Sequence, residues 1–239
     1  MIEPTLLFWL GALGMAVGTV AFVLGGISTE SVYRRYYAIL ASISLIAAVA
    51  YAMMALEIGW VTVGDNVVFT PRYVDWILTT PLLLLFLGLL AGSDSRELGV
   101  VIAVNTAVMV LGFAAALVPG GLGYGLFVVA GIVYLGLLYL LLGPMSDRAA
   151  EQGAAVTSLF TSLRNLTVIL WSVYPVIWLL GPPGLGMITP TVDIMLISYL
   201  DVLTKVGFGL IALNTGTILE TERGQSIAEA TADGPVGAD

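Results

Sequence analysis

Long apolar stretches follow one another along the chain, separated by short segments that carry charged residues, glycine or proline. Seven stretches can be counted, and most approach the roughly 20 residues that a helix needs to cross a bilayer. Their bounds are Leu6–Leu24, Tyr36–Leu56, Pro71–Leu90, Leu98–Val118, Tyr124–Leu142, Leu166–Leu180 and Pro190–Leu213, with the sixth expected to begin earlier, near Thr157. The pattern predicts an all-α membrane protein, a bundle of seven transmembrane helices.

Two segments depart from this pattern. Glu57–Thr70 alternates apolar β-branched residues around a Gly-Asp-Asn turn, which predicts a short extracellular β-hairpin between the second and third helices. Leu219–Asp239 consists mainly of acidic and small residues, and it predicts a solvated, disordered tail. The chain is therefore expected to divide into a membrane domain, residues 1–218, and an acidic cytoplasmic tail, residues 219–239.

The composition excludes several classes of protein. Charged residues make up 10% of the chain and apolar residues 59%, whereas a soluble domain carries roughly 25% charged residues to cover its surface. With a mean hydropathy of +1.03, the chain does not fit a soluble enzyme, a nucleic-acid-binding protein or a disordered protein. Cysteine and histidine are absent, which argues against disulfides, thiolate catalysis, zinc sites and histidine acid–base chemistry.

The basic residues in the predicted loops lie on one side of the membrane if the helices alternate in direction. These residues are Arg34, Arg35, Arg96, Arg148, Arg164 and Arg223. Cytoplasmic loops carry an excess of Lys and Arg, so the C-terminus is expected in the cytoplasm and the N-terminus outside the cell. This distribution requires an odd number of helices and supports seven independently of the apolar pattern.

Ionisable side chains within the predicted helices are few, and each is a functional candidate because an unpaired charge in a bilayer is costly. They are Arg72, Asp75, Asp193, Asp201 and Lys205. Arg72 and Asp193 lie near helix ends, where they could instead reach the membrane surface separately. Asp201 and Lys205 lie well inside the seventh helix and are four residues apart, so they share one face.

Lys205 is the only lysine, and the other seven basic residues are arginine. A buried network of ion pairs that fixes the packing is one explanation, but arginine would serve equally well there. A lysine amine also condenses with an aldehyde to form a Schiff base, which remains positive when protonated. Asp75 and Asp201 are the available counterions. One aromatic face of the sixth helix offers a wall for the aldehyde, formed by Trp171, Tyr174 and Trp178.

Three longer motifs resemble those of the microbial rhodopsins, and they stand in the order found in that family. They are RYVDWILTTP at Arg72–Pro81, WSVYPVIWLLGPPG at Trp171–Gly184 and DVLTKVGFG at Asp201–Gly209. The resemblance implies a seven-helix bundle in which all-trans retinal is bound covalently to Lys205 as a protonated Schiff base.

The same resemblance implies roles for further residues. Asp75 would be the primary counterion and proton acceptor, and Asp201 the second counterion. Arg72, Thr79 and Tyr51 would lie around the Schiff base, with Arg72 on its extracellular side. The retinal pocket would be formed by Trp76, Met109, Phe127, Tyr134, Trp171, Tyr174, Trp178 and Thr204.

Within this family, several residues disfavour a proton pump of the bacteriorhodopsin type. Such a pump carries a carboxylate donor on the third helix where this chain has Phe86, eleven residues and about 16 Å beyond Asp75. Phenylalanine cannot carry a proton, so the Schiff base should regain its proton slowly. Asn105 and Pro183 also replace acids of the pump, although Asp193 retains one. Asp75 argues against a chloride pump, which lacks this carboxylate.

Four other positions resemble the sensory rhodopsin II branch of haloarchaea. Thr204 and Tyr174 match a pair whose hydrogen bond is linked to signalling, while Tyr199 and Thr189 match contacts to a two-helix transducer of the methyl-accepting type. The resemblance implies a photoreceptor without enzymatic activity, which drives repellent phototaxis in blue-green light from the cell membrane. The transducer would bind along the sixth and seventh helices, with a homo-oligomer or a complex of two receptors and two transducers as possible assemblies.

Two other functions remain open on the sequence alone. One is a light-driven outward proton pump, which would use the same retinal site. The other is a seven-helix transporter or ligand receptor without a chromophore, in which Lys205 only pairs with carboxylates. The formation of a pigment with retinal separates the transporter or ligand receptor from the pump and the photoreceptor, and the rate of the photocycle separates the pump from the photoreceptor.

Overall fold

The computed structural model describes residues 3–213 and residue 218, so Arg223 and the predicted tail, Leu219–Asp239, lie outside the described residues. The helices are α1 (Pro4–Ser28), α2 (Arg34–Ala55), α3 (Thr70–Ala91), α4 (Ser95–Leu117), α5 (Gly121–Leu142), α6 (Pro144–Ala150), α7 (Ala154–Leu180), α8 (Pro190–Val202) and α9 (Phe208–Ala212). Within the described residues, seven helical segments are long and apolar enough to cross a membrane. The predicted bundle is confirmed, and α7 does begin well before Leu166.

A tight turn connects α3 to α4 at one end of the bundle. Gly92 ends α3 with a φ of 70°, a left-handed conformation that costs glycine little. Asp94 then caps α4 by accepting hydrogen bonds from the N–H groups of Glu97 and Arg96, and these bonds, that of Glu97 above all, lower the pKa of the Asp94 carboxyl. Arg148 of α6 pairs with Glu97 at 3.0 Å, so α6 lies at the same end, called the connector end.

The predicted hairpin is confirmed, and it covers the opposite end of the bundle, called the hairpin end. Its two antiparallel strands are β1 (Trp60–Val63) and β2 (Asn66–Phe69). Gly64 lies in the turn between them with a φ of 60°. Phe8 of α1 packs edge-to-face against aromatic rings of both strands. Asn66 donates a hydrogen bond to the Pro182 carbonyl at 2.9 Å, which ties the hairpin to the loop between α7 and α8.

The seventh span, Pro190–Ala212, is not a regular α-helix throughout. A π-helical turn at Leu203–Gly207 joins α8 to α9, and it contains Lys205. No pattern in the sequence predicts this turn. The wider turn changes the direction in which the following side chains point, and such turns inside α-helices occur frequently at functional sites.

Candidate functional site

Lys205 lies in the middle of the bundle, with only 2% of its surface exposed. Its ammonium group forms an ion pair with Asp75 of α3, which is also buried. Oδ2 of Asp201, one turn earlier in the seventh span, lies 3.6 Å from the Lys205 Nζ atom. In a bilayer an unpaired ammonium would be costly, so the two carboxylates explain how a charged lysine is retained at this depth.

Asp201 receives hydrogen bonds from neutral side chains of three helices. The Tyr51 hydroxyl of α2 donates to Oδ2 at 2.8 Å, and the Tyr174 hydroxyl of α7 donates to Oδ1 at 2.6 Å. The indole N–H of Trp76 in α3 donates to Oδ1 at 3.1 Å. Each donor points a positive dipole at the carboxylate and stabilises its ionised form. With these three donors, Asp201 has more hydrogen-bond partners than the other carboxylate beside Lys205, Asp75.

Asp75 has fewer partners than Asp201. One of its carboxylate oxygens pairs with Lys205, and within the described part of the chain the other, Oδ1, has no hydrogen-bond partner. The Thr79 hydroxyl, on the same face of α3, donates to the backbone carbonyl of Asp75 at 2.8 Å. Because little besides the ammonium group stabilises this charge, Asp75 is the carboxylate better suited to take a proton from the Lys205 nitrogen.

Arg72 and Asp193 form a second buried pair, nearer the hairpin end. The Arg72 Nη1 atom lies 3.2 Å from Asp193 Oδ2, and the two side chains are 5% and 10% exposed. The alternative that they reach the membrane surface separately is therefore wrong. The guanidinium carbon also lies 5.1 Å from the centre of the Phe69 ring, a cation–π contact. With this pair, the buried site holds one carboxylate more than it holds cations.

A cavity of 330 Å³ extends from Lys205 towards the hairpin end. Its lining includes the eight residues that the resemblance assigns to a retinal pocket: Trp76, Met109, Phe127, Tyr134, Trp171, Tyr174, Trp178 and Thr204. Trp178 stacks on Phe127 with ring centroids 4.2 Å apart, and Trp76 meets Tyr174 edge-to-face. A long apolar aldehyde fits this space, because aromatic walls lead to a single amine. The residues present therefore fit retinal.

The bundle is apolar on the other side of Lys205. Phe86 is completely buried, and its ring meets the rings of Tyr36 and Phe208 edge-to-face, with centroids 5.3 and 5.4 Å away. Leu40 belongs to the same buried cluster. These four residues are called the Phe86 cluster below. None of them is an acid, so the Phe86 cluster offers no carboxyl proton to the Lys205 nitrogen.

The residues that the resemblance links to signalling lie in two places. The hydroxyls of Tyr174 and Thr204 are 3.4 Å apart beside Asp201, a long separation for a hydrogen bond. Tyr199 lies on the surface of α8 with 64% of its area exposed, and Thr189 is the exposed N-cap residue of the same helix. The structure brings the first pair to the Lys205 site and places the second pair away from it.

One role in the site has no signal in the sequence. The resemblance assigns Trp76 to the pocket wall, but its indole N–H also bonds to Asp201. This contact depends on how α3 packs against the seventh span, and no spacing within either helix indicates it. Tyr51 is similar, since only the resemblance, and nothing in the pattern of α2, points to it.

Comparison with known proteins agrees with this geometry. The profile of the family described as Bacteriorhodopsin-like protein matches residues 3–219. The chain is 57% identical to Sensory rhodopsin-2 of Natronomonas pharaonis over 239 residues, the full length of both, and 41% identical to Sensory rhodopsin-2 of Haloarcula vallismortis over 89% of this chain and 91% of that protein. The crystal structure of thermophilic rhodopsin from Rubrobacter xylanophilus, 35% identical, matches with a TM-score of 0.88 over 92% of this chain and 99% of that chain. The chain therefore belongs to the bacteriorhodopsin-like family, the microbial rhodopsins.

Proposed function

We propose that this chain is a retinal photoreceptor that signals repellent phototaxis through a membrane transducer. One observation carries the proposal: Lys205 pairs with the carboxylate of Asp75 on one side and has the Phe86 cluster, which contains no acid, on the other. A proton that leaves the lysine nitrogen for Asp75 is not replaced quickly from the connector end, because a positioned acid is missing from this cluster. The state in which the proton is on Asp75 then lasts long enough for a partner protein to respond to it.

Lys205 would hold the chromophore, and the aromatic cavity would fix its orientation. All-trans retinal, bound there as a protonated Schiff base, supplies the absorption of light and the isomerisation that makes the proton leave. Asp75 receives this proton on a carboxylate oxygen. Asp201 remains ionised because the Tyr51, Tyr174 and Trp76 donors hold it.

Neutralisation of the Lys205–Asp75 pair is the change that the protein would transmit. This ion pair attracts α3 to the seventh span, and the attraction is strong because the interior is poorly polarisable. The Tyr174 hydroxyl connects α7 to the site and lies 3.4 Å from the Thr204 hydroxyl. Pro175 follows within α7, where a proline lacks the helical N–H and permits a bend. Outward movement of α7 is therefore the expected response.

A two-helix transducer would bind along α7 and the seventh span. Tyr199 supports this, because 64% of it is exposed on a membrane-spanning helix, where a hydroxyl gains from a hydrogen-bonding partner helix. Thr189 is exposed near the start of the same span. By the distribution of arginines, the hairpin end faces the outside of the cell. The connector end and the acidic tail, residues 219–239, then face the cytoplasm, where the transducer would control a kinase.

Flash photolysis of the protein reconstituted with all-trans retinal tests this function. We expect a pigment that absorbs in the blue-green, transient protonation of Asp75 and a slow recovery that azide, a small mobile acid, accelerates. Lys205→Ala should form no pigment, and Lys205→Arg is a matched control that keeps the charge but cannot condense with the aldehyde. A colourless wild-type protein would refute the proposal. Steady proton currents with a fast, azide-independent cycle would favour the pump.

Signal transfer is tested separately from pigment formation. Thr204→Ala removes the hydroxyl beside Tyr174 without removing a charge, so the pigment and its photocycle should persist while phototaxis decreases. Thr167→Ala is the matched control, because this buried threonine of α7 donates to the Leu163 carbonyl of its own helix. Normal phototaxis in cells that carry Thr204→Ala would reject the signalling role of this residue.

A further inference from the structure

Tyr51, the α2 donor to Asp201, lies directly against a glycine of α1. Gly11 and Tyr51 are both buried, and the tyrosine has no exposed surface. A Cβ atom built on Gly11 would lie 2.5 Å from Cε1 of Tyr51 and closer still to Cδ1. Non-bonded carbon atoms do not approach each other so closely, so this Cβ and the ring cannot occupy these positions together. Only glycine at position 11 leaves the ring where it lies.

The position of the ring determines the position of its hydroxyl oxygen, because this oxygen lies on the ring axis that runs through Cβ, Cγ and Cζ. This hydroxyl donates to Asp201 Oδ2 at 2.8 Å, and the same oxygen faces Lys205 at 3.6 Å. Hydrogen bonds between oxygen atoms are formed up to about 3.0 Å. A displacement of the ring by about half an ångström therefore weakens the bond to the carboxylate that faces the lysine.

The Tyr51 ring has little room to move aside. Phe8, one turn before Gly11 in α1, meets the ring edge-to-face with centroids 6.2 Å apart. Met54 and Ile194 belong to the same buried cluster as Tyr51 and Phe8. Protein interiors are close-packed, so a collision at Gly11 is passed along the ring to the hydroxyl instead of being absorbed by free space.

We infer that Gly11 of α1 is a positioning residue that sets the hydrogen bond between Tyr51 and Asp201. By this arrangement, α1 acts on the carboxylate through packing. The inference does not rest on the proposed retinal function, because the hydrogen bond can be measured without retinal.

The carboxyl ¹³C resonance of Asp201 reports this hydrogen bond. It can be recorded by solid-state NMR on the full chain in lipid bilayers, with and without retinal, and assigned by its absence in Asp201→Asn. Tyr51→Phe removes the donor and should move the resonance. Gly11→Ala should move it in the same direction and by at least half as much, because it displaces the same donor.

Two glycines of α1 provide matched controls. Gly14→Ala places a Cβ 3.4 Å from Val202, an ordinary contact, and controls for the alanine itself. Gly25→Ala places a Cβ 2.6 Å from Cε1 of Tyr37 in α2 and so repeats the collision, but the Tyr37 hydroxyl donates to a carbonyl at the end of the seventh span. Both variants should leave the Asp201 resonance unmoved, while Gly25→Ala lowers the unfolding temperature as Gly11→Ala does.

A double variant separates positioning from a loss of packing. Gly11→Ala combined with Tyr51→Phe retains the collision with the ring but has no hydroxyl to displace, so its resonance should equal that of Tyr51→Phe alone. Additive shifts would overturn the inference, as would an unmoved resonance in either single variant. If these results hold and the wild-type protein forms no pigment with retinal, the proposed function fails while the positioning role stands.

Discussion

The two halves of the bundle on either side of Lys205 are built from opposite kinds of residue. Towards the hairpin end lie three buried carboxylates and an arginine: Asp75, Asp201, Asp193 and Arg72. Towards the connector end lies the Phe86 cluster. Charges in a bilayer persist only with partners, so the polar half holds its charged groups in contact with one another, whereas the Phe86 cluster contains no charged side chain. Lys205 therefore has a paired carboxylate on one side and, among the four residues of the Phe86 cluster, no acid on the other.

A second contrast exists inside the polar half, between the two carboxylates beside Lys205. Asp201 is held by three neutral donors, whereas Asp75 has the lysine as its charged partner and one carboxylate oxygen, Oδ1, without a hydrogen bond among the described residues. A carboxylate with many donors is a stable anion, and one with a single charged partner becomes an acceptor when that partner turns acidic. Asp75 and Asp201 both lie near the lysine, so the number of their hydrogen-bond donors is what distinguishes them.

The largest expected effect comes from removing the poorly bonded carboxylate. Asp75→Asn should still form a pigment with retinal, because Asp201 remains as counterion. Proton transfer from the lysine nitrogen should be abolished, since the amide cannot accept the proton. The absorption maximum should move to longer wavelength, because a counterion stabilises the ground-state charge more than the excited state. Flash photolysis and steady-state absorption measure both effects.

Asp201→Asn is the matched control for that variant. It should retain proton transfer to Asp75, but it should lower the free energy of unfolding by about 2 kcal/mol, because donors to a charged group lose their partner's charge. Thermal unfolding in bilayers measures this loss. The contrast fails if Asp201→Asn blocks proton transfer while Asp75→Asn leaves it intact.

A smaller effect is expected from placing an acid in the apolar half. Phe86→Asp introduces a proton donor on the connector side of Lys205, and return of the proton should accelerate by roughly tenfold or more. The recovery would then depend less on added azide. Time-resolved absorption of the reconstituted pigment measures the rate.

Phe86→Asn distinguishes this chemistry from a simple loss of packing. It has nearly the shape of the aspartate variant and removes the same ring contacts with Tyr36 and Phe208, but it has no carboxyl proton. Equal recovery rates in the two variants would mean that water entry, rather than a missing donor, limits the wild-type protein.

Much of this architecture follows from the sequence, because a bilayer allows few solutions. Apolar length predicts the spans, and alternation around Gly64 predicts the hairpin. The cost of intramembrane charge singles out Asp75, Asp201 and Lys205 before any contact is known. These inferences rest on periodicity and composition within single segments, which is the information that a sequence carries directly.

Contacts between segments are less accessible from the sequence. The pairing of Arg72 with Asp193 joins two helices far apart in the chain, and spacing within either helix leaves it open. The π-helical turn around Lys205 depends on packing across the bundle, and no local propensity signals it. The resemblance places Trp76 in the pocket wall, but its role as a donor depends on the exact approach of α3 to Asp201.

The smallest expected effect concerns the β-hairpin, which covers the polar half of the bundle. Asn66→Asp replaces the amide donor to the Pro182 carbonyl by a group of the same shape that cannot donate when ionised. We expect the free energy of unfolding to fall by about 1 kcal/mol. Hydroxylamine should also bleach the pigment faster in the dark, because the hairpin is tied less firmly to the loop between α7 and α8. The absorption maximum should stay unchanged, since the contacts of Lys205 are intact.

Asn165→Asp at the connector end is the control, because the Asn165 side chain accepts hydrogen bonds from Arg164 and an aspartate preserves this role. Equal bleaching rates in the two variants would mean that the hairpin does not limit access to the polar half.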